Sequence, residues 1–307
     1  MSGAFRLATI DAGGTGAVVV ERDGKALFLA DLLRSDDLDR LDGKLPGDIG
    51  PLLGEWDFWL PVLKDRVRDA GEFASRGLDT GNLVFLPPIA RPGKLICIGA
   101  NYHDHIAEMG IPMLPAYPYS FLKPADNTLR GSGATIARPA GVEMLDYEIE
   151  LAVIIGRTCR HVTSDTALSA VAGYANFNDV SARDCVEKRL PIGIDWVLHK
   201  GYDGFAPMGP YLVPSDFAGD PAAMPMRLTV NGEVRQDSST AQMVFGVAEI
   251  VEHLASIMTL QPGDIIATGT PAGCGAGRKP PRYLDPGDEI RIEIGGLGEL
   301  VTAIAGE

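Results

Sequence analysis

The alternation of apolar and polar positions divides the chain into two parts. Residues 5–10, 17–21 and 26–30 read as short strands. Between the second and third, Arg22-Asp23-Gly24 offers a turn, because Asp-Gly accepts positive φ at little cost. From 31 to 80 the pattern changes: Leu38, Leu41, Leu52, Leu53, Trp56, Trp59, Leu60 and Leu63 stand among charges at helical spacings. Pro46, Pro51 and Pro61 are expected to break this stretch into short helices. The segment from Pro87 to Gly93 carries three prolines and a glycine and reads as a linker. Beyond it, strands are predicted at 94–99, 147–156, 172–178, 226–230, 264–268 and 289–294, with a helix at 241–258. No internal repeat or low-complexity segment interrupts them. The pattern predicts a small N-terminal α/β domain over 1–90 and a β-rich α+β domain over 91–307.

Composition narrows the function classes. The chain has 307 residues, 46% of them hydrophobic, enough for a sizeable core. Its net charge of −14 opposes nucleic-acid binding, which needs clustered Lys and Arg. No apolar run reaches the roughly 18–20 residues of a membrane helix, and residues 1–10 lack the plan of a signal peptide. Cys97, Cys159, Cys185 and Cys274 show no CxxC spacing, which predicts reduced thiols in a cytoplasmic protein.

The chemistry concentrates in Leu145-Asp146-Tyr147-Glu148-Ile149-Glu150-Leu151 and the apolar run that follows. In a strand, residues two apart share a face, so Glu148 and Glu150 point the same way. Two ionised carboxylates side by side repel unless a proton or cation lies between them. Asp179, at the end of another predicted strand, offers a third carboxylate. Carboxylates without thiolates describe a hard-oxygen site for Mg²⁺ or Mn²⁺. The alternative is that both glutamates line the solvent face of a half-exposed strand.

A second cluster spans Asn101 to Gly110, which read as the cap and the stop of a short helix. His105 and Glu108, three apart, then face one side, and a carboxylate on an imidazole orients a general base. An ordinary surface ion pair gives the same pattern. Lys123 and Lys200 are single lysines among apolar or aromatic neighbours, suited either to a substrate carboxylate or to snorkelling. Thr268-Gly269-Thr270-Pro271-Ala272-Gly273 is a glycine-rich loop whose amides could hold an anion or make a tight connection. Ile10-Asp11-Ala12-Gly13-Gly14-Thr15-Gly16 looks like the first phosphate loop of sugar-kinase and actin-like ATPases, but it also fits a hairpin turn, and no second phosphate loop accompanies it.

Six segments in order resemble the fumarylacetoacetate hydrolase family: Asn-Tyr-x-x-His-x-x-Glu (101–108), Phe-Leu-Lys-Pro (121–124), Asp-Tyr-Glu-x-Glu-Leu (146–151), Asn-Asp-x-Ser-Ala-Arg-Asp (178–184), Lys200, and Thr-Gly-Thr-Pro-x-Gly (268–273). The resemblance runs from about Lys94 to the C-terminus and implies the family's mixed β-roll, usually as a homodimer. It implies Mg²⁺ or Mn²⁺ at Glu148, Glu150 and Asp179, with the dyad His105–Glu108 on a mobile lid. Lys200 would assist catalysis, and Tyr102, Lys123, Arg183 and Thr270 would lie near a small oxo-acid substrate. Two positions depart from the pattern. Ile98 stands where fumarylacetoacetase has an additional aspartate ligand, which points to the acylpyruvase-like branch. Val186 stands where that branch often has glutamine, which leaves the acyl group open. The implied reaction is metal-dependent hydrolysis of a C–C bond in a 2,4-dioxo acid (an acylpyruvate of the fumarylpyruvate type), in aromatic or sugar catabolism. Decarboxylase, hydratase and isomerase chemistry at the same site are the alternatives.

Overall fold

A computed structural model describes residues 4–187, 191 and 193–307. Its centre is a twelve-stranded mixed sheet among the described residues, to which both parts of the chain contribute. Arg6–Asp11, Gly16–Arg22 and Lys25–Phe28 form an antiparallel meander close to the predicted bounds. Asp23 and Gly24 both take positive φ, 53° and 80°, in the two-residue turn that matches the twist of the flanking strands. Arg6–Asp11 then pairs with Ala206–Pro214, so the segment before residue 90 continues the sheet of the segment after it. From there the sheet runs Ala206–Pro214, Val171–Asn178, Ile149–Ile155, Ile265–Ala267 and Leu95–Gly99 to an edge at Tyr119–Leu122.

Each face of this sheet meets its own core. Along Ile149–Ile155, Leu151, Val153 and Ile155 pack toward a second, five-stranded sheet that contributes Met226, Leu228, Ile290 and Ile292. Ala152 and Ile154 point the other way, against Trp56, Trp59 and Leu63 of the N-terminal helices. That two-sided burial explains why the strand reads as a continuous apolar run. The second sheet also contains Glu233–Ser239 and Glu299–Gly306, which the apolar pattern did not mark as strands. The result is a strand-rich α+β fold whose sheets do not close into a barrel.

Three local expectations need correction. Pro61 does not break a helix; it lies inside Trp56–Arg66. The ring is exposed, and burial of Trp56, Trp59 and Leu63 offsets the one main-chain bond it forgoes. The long helix begins at Val247, not 241, because Asn101 takes the preceding amides: its carbonyl accepts from Val244 N at 2.8 Å and its Oδ1 from Phe245 N at 3.0 Å. Asn101 is consequently not the cap of the short helix His103–Glu108, which Tyr102 precedes; Gly110, at φ 66°, does end it. Val247, Ile250, Val251, Leu254 and Ala255 form the buried stripe of the long helix, and Glu249 Oε2 accepts from Gly246 N at 2.8 Å at its start. No helix among the described residues is long and apolar enough to cross a membrane.

The glycine run at 11–16 is a hairpin turn between two adjacent antiparallel strands. Asp11 Oδ1 accepts from Gly14 N at 2.6 Å, and Gly13 and Gly14 take φ of 79° and 92°. The aspartate is engaged by its own turn and the loop opens no helix, so ATP with Mg²⁺ is expected to give no heat of binding by calorimetry. A micromolar affinity would revive the phosphate-loop reading.

Candidate active site

The site is created by strand register. Ile149 pairs with Asn178 and Glu150 with Phe177 in antiparallel strands, which places Glu148 opposite Asp179. Asp179 N donates to Glu148 O at 2.9 Å, and Glu148 N to Asn178 Oδ1 at 3.0 Å, continuing the pairing past the strand ends. Glu150, two residues on, shares the face. One ligand atom from each of Glu148, Glu150 and Asp179 lies within 4.8 Å of the others, and all three residues are buried. The reading of the two glutamates as a solvent-facing pair is thereby excluded.

Cations surround two of the three carboxylates. Lys200 Nζ lies 2.7 Å from Glu148 Oε2 and 2.6 Å from Asp179 Oδ2. Arg183 bonds Glu148 Oε1 and, through Nε, Asp146 Oδ2 at 2.9 Å. Lys123 bonds Asp179 Oδ1. Glu150 has no ammonium or guanidinium partner among the described residues; Gly269 N donates to its Oε2 at 2.9 Å, and it faces the cavity. The titration behaviour splits accordingly. Burial pushes the Glu150 carboxyl well above its usual range, and Asp179 and Glu148 add to the effect. Burial also acts to raise Glu148, but Lys200 and Arg183 outweigh it and hold that group well below the usual range. Lys200 is raised despite its burial, by Asp179 and Glu148. A buried carboxyl raised by two neighbouring carboxylates, in a set of three oxygen donors, fits a hard divalent cation: Glu148, Glu150 and Asp179 would hold Mg²⁺ or Mn²⁺.

Above the carboxylates, His105 and Glu108 form the expected dyad, with His105 Nδ1 3.2 Å from Glu108 Oε2. The other Glu108 oxygen accepts from Gly273 N at 3.0 Å. Gly277 backs the same carboxylate so closely that a Cβ there would collide with it. His105, Glu148, Glu150, Asp179, Arg183, Lys200 and Thr270 all line one cavity of about 260 Å³. Its far wall is apolar and aromatic: Phe121 and Trp196 stack at 4.3 Å, and Ile98, Met109, Ile111, Tyr119, Val186 and Ile194 complete it.

Two expected substrate contacts lie elsewhere. Lys123 is buried behind Asp179, its ammonium bonding that carboxylate and also donating to Val180 O at 3.0 Å, and it does not line the cavity. Tyr102 is fully buried with its hydroxyl 3.2 Å from Met226 Sδ, facing the core. The sequence reading missed three supports. Asp146 anchors Arg183 and accepts from Gly275 N at 2.7 Å and Ala276 N at 3.1 Å, although it opens the very motif that carries the glutamates. Gln236 donates to Thr270 Oγ1 at 2.9 Å and accepts from Ile149 N at 3.0 Å, and nothing in its strand singled it out. His199 is buried beside Lys200, and both its nitrogens lack partners among the described residues. Burial, then Lys200 and Arg183, lower its pKa to about 2, so its ring is neutral near pH 7.

Three buried carboxylates spaced to hold a divalent ion, beside a His–Glu pair in one cavity, have the makings of an enzyme site. The family model described as fumarylacetoacetate (FAA) hydrolase C-terminal matches residues 94–305, and the chain belongs to that family. Among its relatives, the mitochondrial oxaloacetate tautomerase FAHD2A of Bos taurus is 39% identical over 268 residues, covering 87% of this chain and 83% of the relative. The 2,4-didehydro-3-deoxy-L-rhamnonate hydrolase of Sphingomonas sp. (strain SKA58) is 41% identical over 233 residues, covering 73% of this chain and 80% of the relative. The crystal structure of maleylpyruvate hydrolase from Sphingobium sp. SYK-6, in complex with manganese(II) and pyruvate, superposes with a TM-score of 0.76 at 28% identity, covering 98% of this chain and all of that one. The family thus includes hydrolases and tautomerases.

Two predictions follow from this geometry. Chelation with EDTA is expected to abolish turnover, Mg²⁺ or Mn²⁺ to restore it, and Glu150→Gln to weaken Mn²⁺ binding by at least about tenfold, the lower range for disturbing even an outer-shell partner. Full activity after exhaustive chelation would count against the triad. Gly277→Ala is expected to displace Glu108 and lower kcat by up to about 10²-fold, the cost of misplacing a catalytic group by about 1 Å. Metal affinity should stay unchanged; steady-state kinetics and a Mn²⁺ titration on the same variant separate the two effects.

Proposed function

We propose that the chain hydrolyses the C3–C4 bond of a 2,4-dioxo acid, releasing pyruvate and a carboxylic acid. The observation that carries this reading is the position of the oriented His105–Glu108 pair above the buried carboxylates in one cavity. A cavity of about 260 Å³ takes a small acid. A divalent ion held by Glu148, Glu150 and Asp179 would supply Lewis acidity at the oxo-acid end of the substrate.

The chain's own residues account for the proton movements. Glu108 fixes the Nδ1 proton of His105 and leaves Nε2 as the base. Nε2 takes a proton from water, and the hydroxide adds to C4. The C3–C4 bond then breaks, its electron pair moves to the pyruvate fragment, and the His105 proton returns to C3. Lys200, already bridging Glu148 and Asp179, places an ammonium where the enolate charge develops. The aromatic wall of Phe121, Trp196 and Tyr119 receives the acyl side and keeps bulk water away from it.

The relatives support the two halves of this reading. The name of the Sphingomonas hydrolase describes an acid oxidised at C2 and C4 with a deoxy C3, the 2,4-dioxo pattern. The Sphingobium enzyme is a maleylpyruvate hydrolase that holds manganese and pyruvate. A second reading, keto–enol tautomerisation of an oxo acid, is favoured by the bovine relative and needs the same base without attack by water.

Pyruvate release from a series of acylpyruvates, measured beside ketonisation of enol-oxaloacetate, distinguishes the readings. Pyruvate should appear from at least one acylpyruvate, and His105→Ala should lower that kcat by about 10²–10⁴, the usual worth of a general base. Glu108→Gln should act in the same direction with metal affinity intact. Ketonisation without any acylpyruvate cleavage would replace hydrolysis by the tautomerase reading. Cleavage at near wild-type rate in His105→Ala would remove the dyad from the mechanism.

A further inference from the structure

One thiol stands beside the catalytic groups with no part in the chemistry above. Cys274, on the loop that follows Gly273, is buried and offers its sulfur within 4.8 Å of ligand atoms on His105 and Glu148. We propose that His105, Glu148 and Cys274 form a second metal site, of mixed nitrogen, oxygen and sulfur donors, that takes Zn²⁺ and silences the enzyme when filled.

Ligand chemistry separates this set from the triad next to it. Three carboxylates suit a hard ion, whereas imidazole, thiolate and one carboxylate are the donors that zinc prefers in a four-coordinate shell. Two of the three donors are available, and both oxygens of the third, Glu148, are ion-paired with Arg183 and Lys200. His105 Nδ1 is engaged by Glu108, and Nε2 has no protein partner among the described residues. Cys274 Sγ makes only long contacts, 3.7 Å from Gln236 Nε2 and 3.9 Å from Pro271 O, so it gives up little on binding an ion. The loop around it is fixed on both sides, by Gly273 N on Glu108 and Gly275 N on Asp146. Ligands of a tetrahedral zinc sit about 3.3–3.8 Å apart, from bonds of about 2.0–2.3 Å. The three side chains therefore need to close by at most about 1.5 Å.

Binding is a proton exchange: the thiol loses its proton to solvent and the thiolate becomes the ligand. Burial holds the Cys274 thiol protonated otherwise. Glu148 is common to both sites, so zinc competes with Arg183 or Lys200 for one of its oxygens. The inhibitory consequence rests on His105 as the base, because coordination occupies the nitrogen that would accept the proton from water. The site itself does not depend on that reading.

The test therefore reads the site apart from turnover. With excess Mg²⁺ present, Co²⁺ as a zinc surrogate should give a near-ultraviolet thiolate-to-cobalt charge-transfer band in the wild-type protein. Calorimetry in buffers of different ionisation enthalpy should count about one proton released per Zn²⁺, the thiol proton. In Cys274→Ser and Cys274→Val the cobalt band should vanish. The Zn²⁺ concentration for half-inhibition, referred to each variant's own Mg²⁺-saturated rate, should rise at least about tenfold, since even an outer-shell partner is worth about 10–100-fold in affinity. If a variant fails to fold by circular dichroism, the wild-type cobalt spectrum and proton count decide. Absence of the thiolate band in the wild type, or equal zinc sensitivity in folded variants, would overturn the proposal and assign any zinc inhibition to exchange at the triad.

Discussion

The pairing of Ile149 with Asn178 is the constraint on which the rest of the molecule depends. It sets Glu148 against Asp179 and commits the fold to burying three carboxylates at one end of a sheet. Bare charges cannot be left there, since a buried ion without partners costs several kcal/mol. Much of the surrounding sequence answers that demand. Lys123 and Lys200 meet Asp179, Lys200 and Arg183 meet Glu148, and Asp146 steadies Arg183 from behind. The motifs of the family are thus mostly one electrostatic unit, spread along the chain and assembled by register.

That unit was partly visible in the linear sequence. The apolar run after Glu150 marked a buried strand, and the two-residue spacing put both glutamates on one face; each holds in the structure. Register was not visible, because pairing partners thirty residues apart leave no local trace; a strand end could offer Asp179 as a third carboxylate but could not set it opposite Glu148. Lys123 was misplaced for a related reason. A lysine among apolar residues looks the same whether it faces a substrate or backs a ligand, and the difference lies in a strand pairing between Leu95–Gly99 and Tyr119–Leu122. Gln236 was hidden in an ordinary strand, since its value lies in reaching across to Ile149 and Thr270. Asn101 was read as a local cap, and its side chain instead ties together segments more than a hundred residues away.

The loop from Thr268 to Gly277 joins the two halves of the site. Through Gly269 N it steadies Glu150 on the charged floor, and through Gly273 N it steadies Glu108 in the dyad above. Gly269 and Gly273 hold φ of 94° and 105°, and a Cβ at Gly273 would run into the carbonyl of Arg235. The glycines therefore serve close approach of main chain to functional carboxylates. Floor and dyad consequently share one rigid reference, and the spacing between ligand oxygens and imidazole is set by a few main-chain atoms.

The shared sheet has a consequence for how the polypeptide can be divided. The family match begins at residue 94, yet the strand Arg6–Asp11 lies along Ala206–Pro214, all nine of whose residues are buried. A chain trimmed to the matched region would uncover that buried strand around Leu212, where it pairs with Leu7, as an apolar edge. Such edges recruit other chains, and Pro207, Pro210 and Pro214, with the irregular register against Val171–Asn178, limit that hazard here. The N-terminal segment covers what remains of that edge, so its exposure to other chains is governed by the two segments jointly.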